Sequence, residues 1–198
     1  SKIPKIVASI FLALTIQLSI VAFGLSYSPF AQVDEAFKTY ENPKFGLTLT
    51  YPPTWSVDEL RDDPAVPSNN SIVAIFKSPT QGQNDKYLEN VIINIQGPNS
   101  NITSMETYTD NSLKAFNNMS DTIKVTESGK GTLGGLPAHE LLYTSTGIPG
   151  IDLEKKQVFT VVNNNTAYVV TFGAEAPEYD KNIQNVEKMI NSIKIDRN

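Results

Sequence analysis

Phe45-Gly-Leu-Thr-Leu-Thr-Tyr-Pro-Pro-Thr-Trp55 decides how the rest of the chain is read. Phe45, Leu47, Leu49 and Tyr51 recur at every second position, with Gly46, Thr48 and Thr50 between them. That is the period of a strand with one apolar face, and β-branched threonine suits the other face. Pro52 and Pro53 end it, because neither has an N–H to give to a neighbouring strand. Trp55, the only tryptophan, follows at the strand end, where a large ring closes the edge of a core. No motif in the chain names a reaction or a ligand.

Outward from that strand, further strand patterns dominate. Ser71 to Lys77 reads as a strand with Val73 and Ile75 on one side and Phe76 on the other. Asn90 to Gln96, nearly continuous in apolar residues, reads as a central strand buried on both faces. Thr122 to Thr132, a turn at Gly134-Gly-Leu-Pro137 and Ala138 to Thr144 make a hairpin. Gly147 to Gly150 reads as a flexible break. Lys155 to Val162 and Ala167 to Phe172 form a second hairpin through Asn163-Asn-Asn-Thr166, since asparagine tolerates left-handed backbone. Thr103-Ser-Met-Glu106 has capping-box spacing and predicts a helix burying Met105, Tyr108, Leu113 and Phe116. Ile183, Val186, Met189 or Ile190, and Ile193 recur at helical spacing and predict a C-terminal helix covering the sheet. The sum is an α+β domain, an antiparallel β-sheet of about six strands flanked by helices.

The chain opens differently. Ile6 to Leu25 is an apolar run broken mildly by Ser9, Thr15, Gln17 and Ser19, with Lys2 and Lys5 before it. Its length matches the roughly 20 residues of a membrane-spanning helix, with Ile6, Leu12, Ile16, Ile20 and Leu25 as anchor residues. Small residues at Ser26-Tyr-Ser28 and Ala31 leave a cleaved signal peptide as the alternative. Either reading keeps the lysines in the cytoplasm and carries the rest across the membrane. The expected organisation is a leader over 1–31, a linker over 32–39 and an extracytoplasmic domain over 40–198.

Net charge of −5 and a pI near 4.9 argue against a nucleic-acid partner, which calls for a basic patch. The absence of cysteine excludes disulfides, thiolate metal sites and thiol nucleophiles. His139, the only histidine, belongs to neither a G-x-S-x-G elbow nor an H-E-x-x-H pair, and reads as a hydrogen-bonded strand residue. Gly129-Lys-Gly131 and Gly134-Gly135 lack the Ser/Thr and helix that a phosphate loop needs, so they read as a bend and a turn. Asp58, Asp62 and Asp63, with Glu59, crowd one loop and supply the oxygens a calcium ion prefers, although acidic loops are usually just solvated. Asn69, Asn101, Asn118 and Asn164 each head an N-x-Ser/Thr sequon and are glycosylation candidates on an exported chain. Tyr40, Tyr87 and Tyr179 read as exposed aromatics.

The order of these parts carries a resemblance. Phe45-Gly46 running through Tyr51-Pro52 to Trp55, Gly135 to Ala138 before Phe159 to Val162, Ala167 to Phe172, and Asn191 to Lys194 together resemble the PsbP family. These are extrinsic proteins of the oxygen-evolving complex and their non-photosynthetic relatives. The resemblance spans about Tyr40 to Ile195. It implies an α/β/α sandwich on the non-cytoplasmic side of an energy-transducing membrane, assisting a membrane complex without catalysis. The basic and N-terminal docking segments of photosynthetic members have no match, so a photosystem role is not implied, nor any metal ligand. The expected function is a non-catalytic accessory or assembly subunit, without cofactor, docking on an integral membrane protein complex and held by its leader. The alternative is a small-ligand or lipid-binding module with a cleft between helix and sheet.

Overall fold

In a computed structural model, the residues described are 36–59, 70–83, 85–97, 102 and 104–196. The expected leader and anchor residues (Ile6, Leu12, Ile16, Ile20, Leu25) lie outside them. Among the described residues no helix is long and apolar enough to cross a membrane.

Among the described residues, ten strands and two α-helices follow in order: β1 (Lys38–Asn42), β2 (Leu47–Tyr51), β3 (Ser56–Glu59), β4 (Asn70–Lys77), β5 (Asn90–Gln96), α1 (Met105–Asn118), β6 (Ile123–Leu133), β7 (Leu136–Ile148), β8 (Ile151–Val162), β9 (Thr166–Glu175), α2 (Ala176–Ser192) and β10 (Lys194–Ile195). Seven strands form the main sheet in the order β3-β4-β5-β9-β8-β7-β6, with every neighbouring pair antiparallel. A smaller sheet, β1-β2-β10, is also antiparallel. The deciding stretch is therefore a strand, but of the small sheet. Pro52 and Pro53 end it and send the chain across to the main sheet, with Trp55 N–H donating to Pro52 O at 3.0 Å.

The main sheet separates two apolar layers. On one face α2 contributes Tyr179, Val186, Met189 and Ile190, and the small sheet contributes Tyr40, Leu47, Leu49 and Ile195. They pack with Trp55 against Phe76, Val91, Ile93, Ile95, Val158, Val170 and Phe172. On the other face α1 lays Met105, Tyr108, Leu113 and Phe116 over Leu141, Tyr143, Phe159, Ala167 and Val169. Phe159 and Val158 turn to opposite faces, as successive strand residues must. The expected helix-flanked antiparallel sheet is thus present.

Several expectations need correction. Lys38 and Thr39, expected as the end of the linker, already belong to β1, which pairs with β2, Tyr40 opposite Leu49. Glu59 and Asp58, read as loop, belong to β3. In β4 a register shift between Ile72 and Ala74 turns Val73 toward the same layer as Phe76 and leaves Ile75 on the other face, reversing the expected pairing. The residue capping α1 is Ser104, one position later than the box implied, its Oγ accepting from Thr107 N–H at 3.0 Å. The break at Gly147 to Gly150 is a tight hairpin, with Ile148 facing Ile151 across the turn. Finally, β5 is central yet buried fully on one face only. Val91, Ile93 and Ile95 are closed in, whereas Ile92 and Asn94 are half-buried.

Candidate functional site

That last correction locates the part of the molecule left open. Helix α1 packs over β6 and β8, and its Tyr108 reaches Gln96 at the end of β5. The half of the same sheet face formed by β3, β4 and β5 is less covered. Ile72 is 37% exposed, and Ile75 and Ile92, partners across β4 and β5, are half-buried beside it. Strand register carries their row on through Thr171 and Gln157 to Leu141, which lies under α1. Thr171 Oγ1 donates to Gln157 Oε1 at 3.4 Å, so the row passes from apolar to polar just before the helix.

A second row runs parallel to it: Lys77, Asn90, Gly173, Lys155 and Tyr143, each opposite the next. Lys77 is engaged by Asp58 Oδ2 at 2.5 Å. Gly173 carries no side chain, and its neighbours use the space. A Cβ there would lie 2.9 Å from the Tyr87 hydroxyl and 3.6 Å from Lys155 Cε. The lysine stem therefore lies flat across the glycine, with the Tyr87 hydroxyl against the same point. Asn90 Nδ2 donates to that hydroxyl at 2.9 Å. Burial pulls the Lys155 pKa below its ordinary value, and no carboxylate among the described residues opposes the shift. Burial first, and the nearby Tyr87 in the same direction, push the Tyr143 phenol up to about 12. Tyr87 is itself raised, by burial first and by Glu89 in part, against the Asn90 hydrogen bond.

The sequence candidates are mostly elsewhere. Asp58 sits on β3 and is paired with Lys77, while Asp62 and Asp63 lie outside the described residues. Among the described residues no group of three or more His, Asp or Glu side chains is arranged to hold a metal ion. Asn118 ends α1 and Asn164 lies in the β8–β9 turn, both exposed as a glycan acceptor must be, whereas Asn69 and Asn101 lie outside the described residues. His139 Nε2 meets Ser128 Oγ at 2.8 Å, and its ring lies 5.6 Å from that of Phe159; among the described residues no carboxylate hydrogen-bonds to the ring to complete a triad. Gly134 and Gly135 have φ of +59° and +74° and form the two-residue β6–β7 turn. Of the three aromatics read as exposed, Tyr40 (6%) and Tyr179 (8%) are core residues, edge-on to Phe76 and tilted on Phe172 respectively, and only Tyr87 reaches the surface. Trp55 is 5% exposed, within the α2-side core. Lys155, Tyr143 and Gln157 were not singled out from sequence. Their one signal was Lys155-Lys156 beside the apolar Val158-Phe159 of the same strand, which puts a charge on each face of the sheet.

No protein family and no curated protein matches the chain. Solved structures do. The cyanobacterial PsbP (CyanoP) of Synechocystis sp. PCC 6803 superposes with a TM-score of 0.58 at 13% identity, over 87% of this chain and 99% of that one. The Saccharomyces cerevisiae Ran-binding protein Mog1p superposes with a TM-score of 0.50 at 10% identity, over 81% of this chain and 95% of that one. The chain has the PsbP/Mog1 fold. Of the expected resemblance to PsbP, the fold is what these structures share with it.

Proposed function

We propose that this domain is a non-catalytic docking module: an accessory or assembly subunit that seats the open half of its sheet on an integral membrane protein complex, on the extracytoplasmic side. The observation that carries the reading is the unequal cover of the two sheet faces. One face is closed by α2 together with a second sheet, whereas α1 covers only part of the other and leaves Ile72, Ile75 and Ile92 beyond it, bordered by a lysine and two tyrosines. An apolar centre with a polar, donor-bearing rim is the composition of a protein-binding patch. Mog1p, which has the same fold, is named as a Ran-binding protein, so the fold serves docking in that protein. The leader supports a membrane setting, since tethering raises local concentration at a partner in the same bilayer.

The test is migration of the full chain from detergent-solubilised native membranes. Wild type is expected to run in a high-mass complex, and Ile72→Glu, a change at an exposed position, to shift it to the free species. Wild type running alone overturns the reading. So does an Ile72→Glu variant that stays in the complex as fully as wild type.

A further inference from the structure

We propose that Lys155, Tyr87 and Tyr143 form a binding site for a single carboxylate, and that its occupant is an acidic side chain of the docking partner. The inference rests on the docking reading for its occupant; the site itself stands on geometry. The three residues converge because Gly173 leaves a gap in the sheet row. Tyr143 and Lys155 are direct cross-strand partners, Lys155 faces Gly173 in turn, and Tyr87 reaches over that glycine from the β4–β5 connection. The Lys155 stem and the Tyr87 hydroxyl share the space over Gly173, and Tyr143, one strand on, lies close enough to Tyr87 for the two phenols to act on each other.

What these groups have in common is a surplus of donors. An ammonium has three protons and no acceptor. The Tyr87 oxygen already accepts from Asn90 and keeps its own proton to give. No described residue accepts from the Tyr143 hydroxyl, which burial holds in its neutral, donating form. A half-buried cation with no counter-charge beside two hydroxyl donors is complementary to an acceptor-only group. One positive charge with neutral donors matches a monoanion, and Glu89, whose charge already acts on Tyr87, disfavours a second negative charge. That selects a carboxylate over a phosphate dianion. The position at the rim of Ile72, Ile75 and Ile92 places the ion pair where the apolar contact would shield it from water.

The test titrates the full chain with sodium acetate against sodium chloride at matched ionic strength. It follows the ring resonances of Tyr87 and Tyr143 and the ε-CH2 of Lys155. Saturable shifts with acetate and not with chloride are expected. Lys155→Gln should weaken them about tenfold, as loss of a charge-assisted bond implies. Tyr143→Phe, which keeps the ring, should weaken them about threefold. Shifts that grow linearly, appear equally with chloride, or persist in Lys155→Gln overturn the site. Two further probes decide the occupant. A capped peptide amide whose only charge is one glutamate should bind more tightly than acetate, while hexanoate should bind no better than acetate; a strong preference for hexanoate overturns the partner side chain as occupant. Failure here is distinct from failure of docking. A chain that enters the membrane complex yet ignores acetate sinks this site alone, and one that binds acetate yet always runs free sinks the docking reading alone.

Discussion

Lys155 and Lys156 are adjacent, yet the pleat gives them opposite fates. Lys156 is 8% exposed, on the α2 side, and its Nζ reaches Glu187 of α2 at 2.5 Å and Glu140 of β7 at 3.1 Å. Burial works against its charge, but the bonds and charges of Glu187 and Glu140 outweigh burial and leave its pKa raised. Gly131 makes this arrangement possible, because a methyl group there would collide with the Glu140 side chain. Gly131→Ala is expected to push the Glu140 carboxylate away from Lys156 and cost about 1–2 kcal/mol in denaturant unfolding. In a Glu140→Ala background the collision is gone, and alanine should be neutral or slightly stabilising, since glycine inside a strand is the poorer choice. Equal costs in both backgrounds would show that Glu140 is not what the glycine accommodates.

At the scale of elements, what sequence makes legible is what forms over short distances. Asn163 and Asn164 take φ of 52° and 56°, as the turn chemistry required, and the β8–β9 hairpin follows from them. Leu133 faces Leu136 across Gly134-Gly135 for the same local reason. Elements held by distant partners were not legible. Lys38–Asn42 and Lys194–Ile195 are polar and short, and become strands only because Leu47 and Thr48 offer them an edge. The open site was illegible for a related reason. Ile92 reads as core until β5 is placed between β4 and β9, beyond the half of the sheet that α1 covers. The hairpin tip shows how local and distant terms combine. Gly134 and Gly135 both need left-handed backbone, so alanine at either should cost about 1 kcal/mol. A Cβ on Gly134 would also lie 2.9 Å from Ile195 Cγ1 of the small sheet, whereas Gly135 faces open space. Gly134→Ala should therefore be the more destabilising by about 1 kcal/mol or more in thermal unfolding. Equal losses would mean that the tip does not bear on β10.

For the molecule as a whole, both layers seal tyrosines against the sheet, and this fixes its response to alkali. Burial is the foremost cause that lifts Tyr108, on α1, Tyr143, beneath that helix, and Tyr179, on α2, to about 12, and it lifts Tyr40, Tyr87 and Tyr168 in the same direction. In the unfolded chain these phenols ionise near pH 10. Between pH 10 and 12 the unfolded state thus holds fewer protons than the folded state, and stability falls as pH rises. At about 1.4 kcal/mol per pH unit, Tyr108 and Tyr143 would each withdraw roughly 2 kcal/mol by pH 12. Tyr179, 8% exposed and lifted to the same value, adds to the loss in the same direction. Two such losses are large beside the 5–15 kcal/mol typical of a domain. Phenolate absorbance should accordingly lag behind that of free tyrosine above pH 10, then rise together with the loss of circular dichroism, because most rings ionise only when the layers separate. A smooth titration centred on pH 10 with the dichroism intact would mean that α1 and α2 do not close over these rings.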